Sequence, residues 1–154
     1  MGRVDKITLT SLDVTATEEE LELIFGRDFK KIKTGDAALS RRGVRWYSFF
    51  DLEIHLVPVA SKDRIAFEDL YKEQLVLDRT ADDYGIISHV GISVPDVTTY
   101  ISIMKKNKIP YSIRLREDGT YQVYLFLSGV VPSFILELES RKMTLTNEEI
   151  KKFS

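Results

Sequence analysis

Apolar and polar residues alternate along Lys6-Ile7-Thr8-Leu9-Thr10-Ser11-Leu12, the period-2 signature of a half-buried strand. Thr17-Glu18-Glu19-Glu20 reads as a capping box and predicts a helix whose Leu21, Ile24 and Phe25 share a face, stopped by Gly26. A short strand is expected over 29–33, a polar loop over 34–43, and two more strands over 44–50 and 52–57. The second half of the chain repeats that order. Val90, Ile92 and Val94 alternate, and Asp96 caps a helix carrying Val97, Tyr100, Ile101 and Met104 at i, i+3, i+4 and i+7. Three strands follow over 111–116, 121–127 and 133–139, with a turn at Asp118-Gly119.

The halves also correspond residue by residue. Ile7 to Val14 lies over Val90 to Val97, 83 positions later, and Ile54-His55-Leu56 lies over Leu136-Glu137-Leu138, 82 positions later. A nearly constant offset at two separate strands marks an internal duplication. The pattern therefore predicts an α+β fold of two tandem βαβββ modules forming a curled mixed sheet around a concave pocket. Module 1 spans 4–58 and module 2 spans 86–140. A linker region over 59–85 carries a helix with Phe67, Leu70, Tyr71 and Gln74, and a tail helix over 141–154 opens on a second capping box, Thr146 with Glu149.

Composition narrows the function only by exclusion. The 154 residues carry 22 Lys+Arg against 24 Asp+Glu, so bulk charge recruits neither nucleic acid nor an anionic membrane. There is no cysteine, which removes disulfides, thiolate metal sites and cysteine nucleophiles. No apolar run approaches the ~20 residues of a membrane span. The expectation is a cytoplasmic protein of a single domain.

The polar faces of the strands carry the candidate chemistry. Lys6, Thr8 and Thr10 oppose Ile7 and Leu9. Glu53, His55 and Val57 oppose Leu52, Ile54 and Leu56. In module 2, His89, Gly91 and Ser93 oppose Val90 and Ile92, while Ile135, Glu137 and Glu139 oppose Phe134, Leu136 and Leu138. Small side chains beside ionisable ones leave room for a ligand. The chain's only two histidines, His55 and His89, fall on this surface with Glu137. Two imidazoles and a carboxylate suit a divalent metal with open coordination positions. Gln122 and Tyr124 share one face of the neighbouring strand and are candidates to contact substrate.

The βαβββ repeat, the strand Ser88-His89-Val90-Gly91-Ile92-Ser93-Val94-Pro95-Asp96-Val97 and the closing strand Ile135-Leu136-Glu137-Leu138 resemble the vicinal oxygen chelate superfamily, over most of residues 4–140. Leu52-Glu53-Ile54-His55-Leu56 is similar to the closing strand of first modules in glyoxalase-like proteins. The resemblance implies metal positions at the start of each module's first strand and within its last: Lys6, His55, His89 and Glu137. Lys6 departs from the pattern, since an ammonium has no lone pair, and is assigned to a substrate oxyanion instead. Ser128-Gly129-Val130-Val131-Pro132 stands where the family carries an Asp-Pro-Asp-Gly-Asn turn.

The implied function is a divalent-metal-dependent enzyme (Fe, Mn, Ni or Zn) of lyase, isomerase or dioxygenase type. It would act on a small oxygenated metabolite, with Glu139 a weak candidate for proton transfer. The alternative is a metal-free protein that binds and sequesters a small molecule, of the bleomycin-resistance type. The resemblance also implies a homodimer, with the pocket either within one chain or shared between copies; in the shared arrangement Lys6 and His55 of one copy would face His89 and Glu137 of the other. Neither nucleic acid nor membrane is expected as a partner.

Overall fold

The computed structural model describes residues 5–66, 68–69, 89–130 and 135–144, the side chains of His89 and Ile135 excepted. Module 1 runs β1 (Lys6–Ser11), α1 (Val14–Phe25), β2 (Phe29–Ile32), α2 (Ala37–Arg41), β3 (Arg45–Phe49) and β4 (Leu52–Pro58). Module 2 runs β5 (His89–Ser93), α3 (Thr98–Lys106), β6 (Tyr111–Leu115), β7 (Tyr121–Leu125) and β8 (Ile135–Ser140). The strands form two four-stranded mixed sheets, ordered β1-β4-β3-β2 and β5-β8-β7-β6.

In each sheet the first strand pairs parallel to the last, and the other pairings are antiparallel. A parallel pair needs a crossover, supplied by the helix between the strands. The registers of the two modules are equivalent. Lys6 opposes Glu53 and Thr8 opposes His55, just as His89 opposes Ile135 and Gly91 opposes Glu137. The duplication read from the residue offsets is thus a duplication of hydrogen-bonded geometry.

The apolar faces behave as their alternation predicts. Ile7, Leu9, Ile54 and Leu56 are buried under α1 residues Leu21, Ile24 and Phe25, and Leu136 and Leu138 join Val97, Ile101 and Met104. All belong to one core that runs through both modules, with the Phe25 and Tyr100 rings 5.6 Å apart where α1 meets α3. Gly26 ends α1 with φ +51°, as expected, and Lys105 and Lys106 lie in the last turn of α3, where the helix dipole favours cations.

The start of α1 differs from the capping-box expectation. Asp13 is the cap and accepts the Ala16 N–H at 3.0 Å, so the helix begins at Val14. Thr17 is instead fully buried inside the helix. Its Oγ1 lies 2.8 Å from Ser11 Oγ and donates to the Ser128 carbonyl at 2.9 Å. The segment 34–43, expected as loop, contains α2, whose cap Asp36 accepts from Ala38 and Leu39. Phe67, Leu70, Tyr71 and Gln74 of the expected linker helix, and the Thr146–Glu149 box of the tail, lie outside the described residues.

Ser128 and Gly129 fasten module 2 to module 1. Glu20 on α1 accepts from Ser128 N and Ser128 Oγ, both at 2.6 Å, and Leu12 N donates to Gly129 O at 2.8 Å. Gly129 sits at φ +72°, and a Cβ there would come within 3.0 Å of Asp13 N, so both conformation and space require glycine. A second brace ties α1 to its own sheet. Tyr47 Oη and Arg45 Nη1 donate to Glu18 Oε2, and Lys31 adds its charge. Burial pushes the Glu18 carboxyl up, but the hydrogen bonds from Tyr47 and Arg45, with the charges of Arg45 and Lys31, hold it below its ordinary range.

Two outcomes are expected. Glu20→Ala removes two charge-assisted hydrogen bonds and lowers unfolding stability by about 1.5–3 kcal/mol in urea titration, while Glu19→Ala on the exposed face changes it little. A carboxyl held below its unfolded value stabilises the fold above that value and loses the contribution as pH falls through its folded value. The stability gap between wild type and Glu18→Gln is therefore widest near neutral pH and closes in acid.

Candidate active site

The helices cover one face of each sheet, and the chemistry expected from the sequence stands on the other. In module 2 the parallel and antiparallel ladders set the rows of that face. Gly91, Glu137, Tyr124 and Ser112 stand across one row, and Ser93, Glu139, Gln122 and Arg114 across the next. Glu137 is only 1% exposed and Gln122 7%, although both point away from the apolar core. A carboxylate taken out of water is costly unless hydrogen-bonded. Here the Gln122 amide donates from Nε2 to Glu137 Oε1 at 2.6 Å and, at 3.4 Å, to Glu139 Oε1.

Around that pair, Glu139 is half-buried and reaches Arg116 Nη1 at 3.8 Å. Tyr124 is buried beside Glu137, and its phenol is pushed up first by burial and then by the Glu137 charge, partly offset by Arg114. Gly91 contributes no side chain, and a Cβ built there would meet the Glu139 carboxyl at 3.6 Å, an ordinary contact. His89 is in β5, one row from Gly91, so its register position is diagonal to Glu137 on the same face. Its side chain lies outside the described residues.

In module 1, His55 occupies the row of Thr8, Trp46 and Ile32. The imidazole lies flat on the Trp46 indole, with centroids 4.4 Å apart and planes 4° apart. Its Nε2 is 3.1 Å from Glu53 Oε2, two residues back on the same face of β4. Lys6 is exposed at the start of β1 and is the Cα partner of Glu53.

The structure thus brings Glu137 together with Gln122, Tyr124 and Glu139, and His55 together with Glu53 and Trp46. Among the described residues no group of three or more His, Asp or Glu side chains could hold a metal ion; His55 stands on the sheet of module 1 and Glu137 on that of module 2. Glu53 was placed on the polar face from the sequence but given no role, and Trp46 was not singled out. The signal for Glu53 was available, since alternation alone places it beside His55. Trp46 enters through cross-strand register, which a single strand does not reveal.

No family model matches the chain, and no curated protein matches it in sequence. Solved structures do match. Lactoylglutathione lyase from Agrobacterium tumefaciens superposes with a TM-score of 0.58 at 12% identity, covering 91% of this chain and 94% of its own. A mutant of the fosfomycin resistance protein FosX from Listeria monocytogenes, complexed with Mn(II) and a dihydroxypropylphosphonic acid, gives 0.59 at 19% identity, covering 98% and 97%. A glyoxalase/dioxygenase from Nostoc punctiforme gives 0.58 at 14%, covering 90% of each chain. These are vicinal oxygen chelate proteins, and this chain shares their fold; at such identities the likeness carries architecture and not chemistry. No described helix is long and apolar enough to cross a membrane.

The Glu137 environment has a direct test. Gln122→Ala strips a donor from a buried carboxylate and lowers stability by about 1–3 kcal/mol in denaturant titration. Restoring the amide's shape without its donor, as Gln122→Leu, does not recover the loss.

Proposed function

We propose that this protein binds a divalent metal ion and a small metabolite bearing adjacent oxygens, and acts on that metabolite as an enzyme of lyase, isomerase or dioxygenase type. His55, His89 and Glu137 are the proposed metal ligands. The observation that carries this reading is the burial of Glu137 on the face turned away from the core, where a carboxylate has no packing reason to be.

The donor chemistry of the described residues fits the ion. Metal-bound histidines characteristically donate their second ring N–H to a carboxylate, and Glu53 stands in that relation to His55. Glu137 offers a carboxylate whose orientation is fixed by Gln122. A bound divalent ion would supply Lewis-acid polarisation of a substrate oxygen. The other proposed roles belong to the chain. The Lys6 ammonium binds an anionic oxygen of the ligand, Tyr124 and Gln122 line the face, and Glu139, partly exposed beside Glu137, moves a proton. In the homodimer that this reading favours, Lys6 and His55 of one copy face His89 and Glu137 of the second. The FosX neighbour, a complex with Mn(II) and a dihydroxypropylphosphonic acid, supports the ion class.

One observation favours a second reading. Lys6 stands where a metal ligand is expected, with Glu53 as its Cα partner, so the face of module 1 carries a cation of its own. A protein that holds an anionic small molecule without metal, as a sequestering module, would use that cation directly.

Metal analysis separates the two. Protein purified without chelator and analysed by plasma mass spectrometry carries close to stoichiometric Mn, Fe, Ni or Zn under the first reading. Glu137→Gln, nearly isosteric but without the anionic oxygen, binds the same ion more weakly than wild type while its unfolding transition stays cooperative. Metal-free protein with no affinity for any of the four ions selects the sequestering reading.

A further inference from the structure

We propose that Glu53 is a positioning residue for His55. It holds the imidazole flat against Trp46 with Nε2 turned to the Glu53 carboxylate, so that Nδ1 is the nitrogen presented to whatever binds on this face. That Nδ1 meets a metal rests on the reading above; the fixing of the ring does not.

Three observations converge. First, the ring is restrained in two independent ways. The stack on Trp46 fixes its plane, and the 3.1 Å contact between Nε2 and Glu53 Oε2 fixes its rotation within that plane. Either restraint alone leaves a freedom that the other removes. With Nε2–H donating to the carboxylate, a neutral imidazole carries its lone pair on Nδ1. Nδ1 has no hydrogen-bond partner among the described residues.

Second, the platform is itself held. Gly35 packs so closely on the indole that a Cβ there would lie 3.0 Å from Trp46 Cζ3. The stack therefore extends from the β2–α2 connection through Trp46 to His55.

Third, the chain contains its own comparison. The duplicated register makes His55 the counterpart of Glu137, Trp46 the counterpart of Tyr124, and Glu53 the counterpart of Ile135. Module 2 thus places an apolar residue where module 1 places a carboxylate. The carboxylate appears only in the module whose closing strand carries an imidazole, the group whose tautomer and orientation need a partner; the imidazole of module 2, His89, stands on the opening strand. An ordinary surface ion pair would explain the contact but not the coplanar stack. Glu53 is 45% exposed in its side chain and His55 only 13%, so it is the histidine, and not the pair, that the fold encloses.

The test uses the full chain as wild type, Glu53→Ala and Glu53→Gln, with His55→Ala to assign the ring signals of the two histidines. In metal-free wild type the His55 ring protons are shifted upfield by the Trp46 ring current in proton NMR. Glu53→Ala, which frees the ring to turn within the stacked plane, changes the shifts of its two ring protons relative to one another, and Glu53→Gln, which keeps an acceptor, restores most of the wild-type pattern. In calorimetric titration with Mn²⁺, Glu53→Ala weakens binding about 10–100-fold. Ring-proton shifts identical in wild type and Glu53→Ala would overturn the proposal, as would wild-type Mn²⁺ affinity in Glu53→Ala. If the ring shifts follow Glu53 while wild type takes up no Mn²⁺, the positioning role stands and the metal reading is the part that falls.

Discussion

Parallel pairing of the first and last strand in each module is the constraint on which the rest of this structure depends. Such a pair cannot be closed by a hairpin, so the chain must cross over one face of the sheet, and the crossing helix brings its apolar stripe with it. That fixes which face of the sheet becomes core. It leaves the opposite face, bearing Thr8, His55, Gly91 and Glu137, to be used for something else. Because side chains alternate strictly, a one-residue slip in either pairing would turn His55 or Glu137 into the core. The equivalent register of the two modules keeps both on the open side.

The two open faces are built alike and furnished differently. Module 1 presents an ammonium and an imidazole stacked on an indole, with one carboxylate alongside. Module 2 presents two carboxylates gathered by one amide, with arginines at the margin. Duplication thus supplied the geometry, and substitution at equivalent positions divided the chemistry. The junction between modules is polar and specific: the Glu20 carboxylate holds both donors of Ser128, and the buried hydroxyls of Ser11 and Thr17 hand hydrogen bonds on to the Ser128 carbonyl.

Much of this was legible in the residues. Alternation named the faces, and the near-constant offset between halves anticipated the register that the ladders show. What escaped depended on contacts between distant parts of the chain. Thr17 with Glu20 has every local mark of a helix cap, yet Asp13 takes that role. Thr17 and Glu20 instead meet Ser128, more than a hundred residues away. Helix α2 was hidden in a polar stretch because its cap, Asp36, outweighs the lack of an apolar stripe. Glu137 was singled out by its type and position, but its near-complete burial and its bond to Gln122 follow from packing that no strand pattern encodes. The Trp46–His55 stack was invisible for the same reason.

The central claim is that the open faces of both modules border a single divalent ion, whether within one chain or between two. Paramagnetic broadening tests it most directly. Substoichiometric Mn²⁺ added to ¹⁵N-labelled protein should broaden the backbone amides around His55 in β4 together with those around Gly91 in β5 and Glu137 in β8. Broadening confined to exposed acidic positions such as Asp36 and Asp118, with those three strands untouched, would contradict the account.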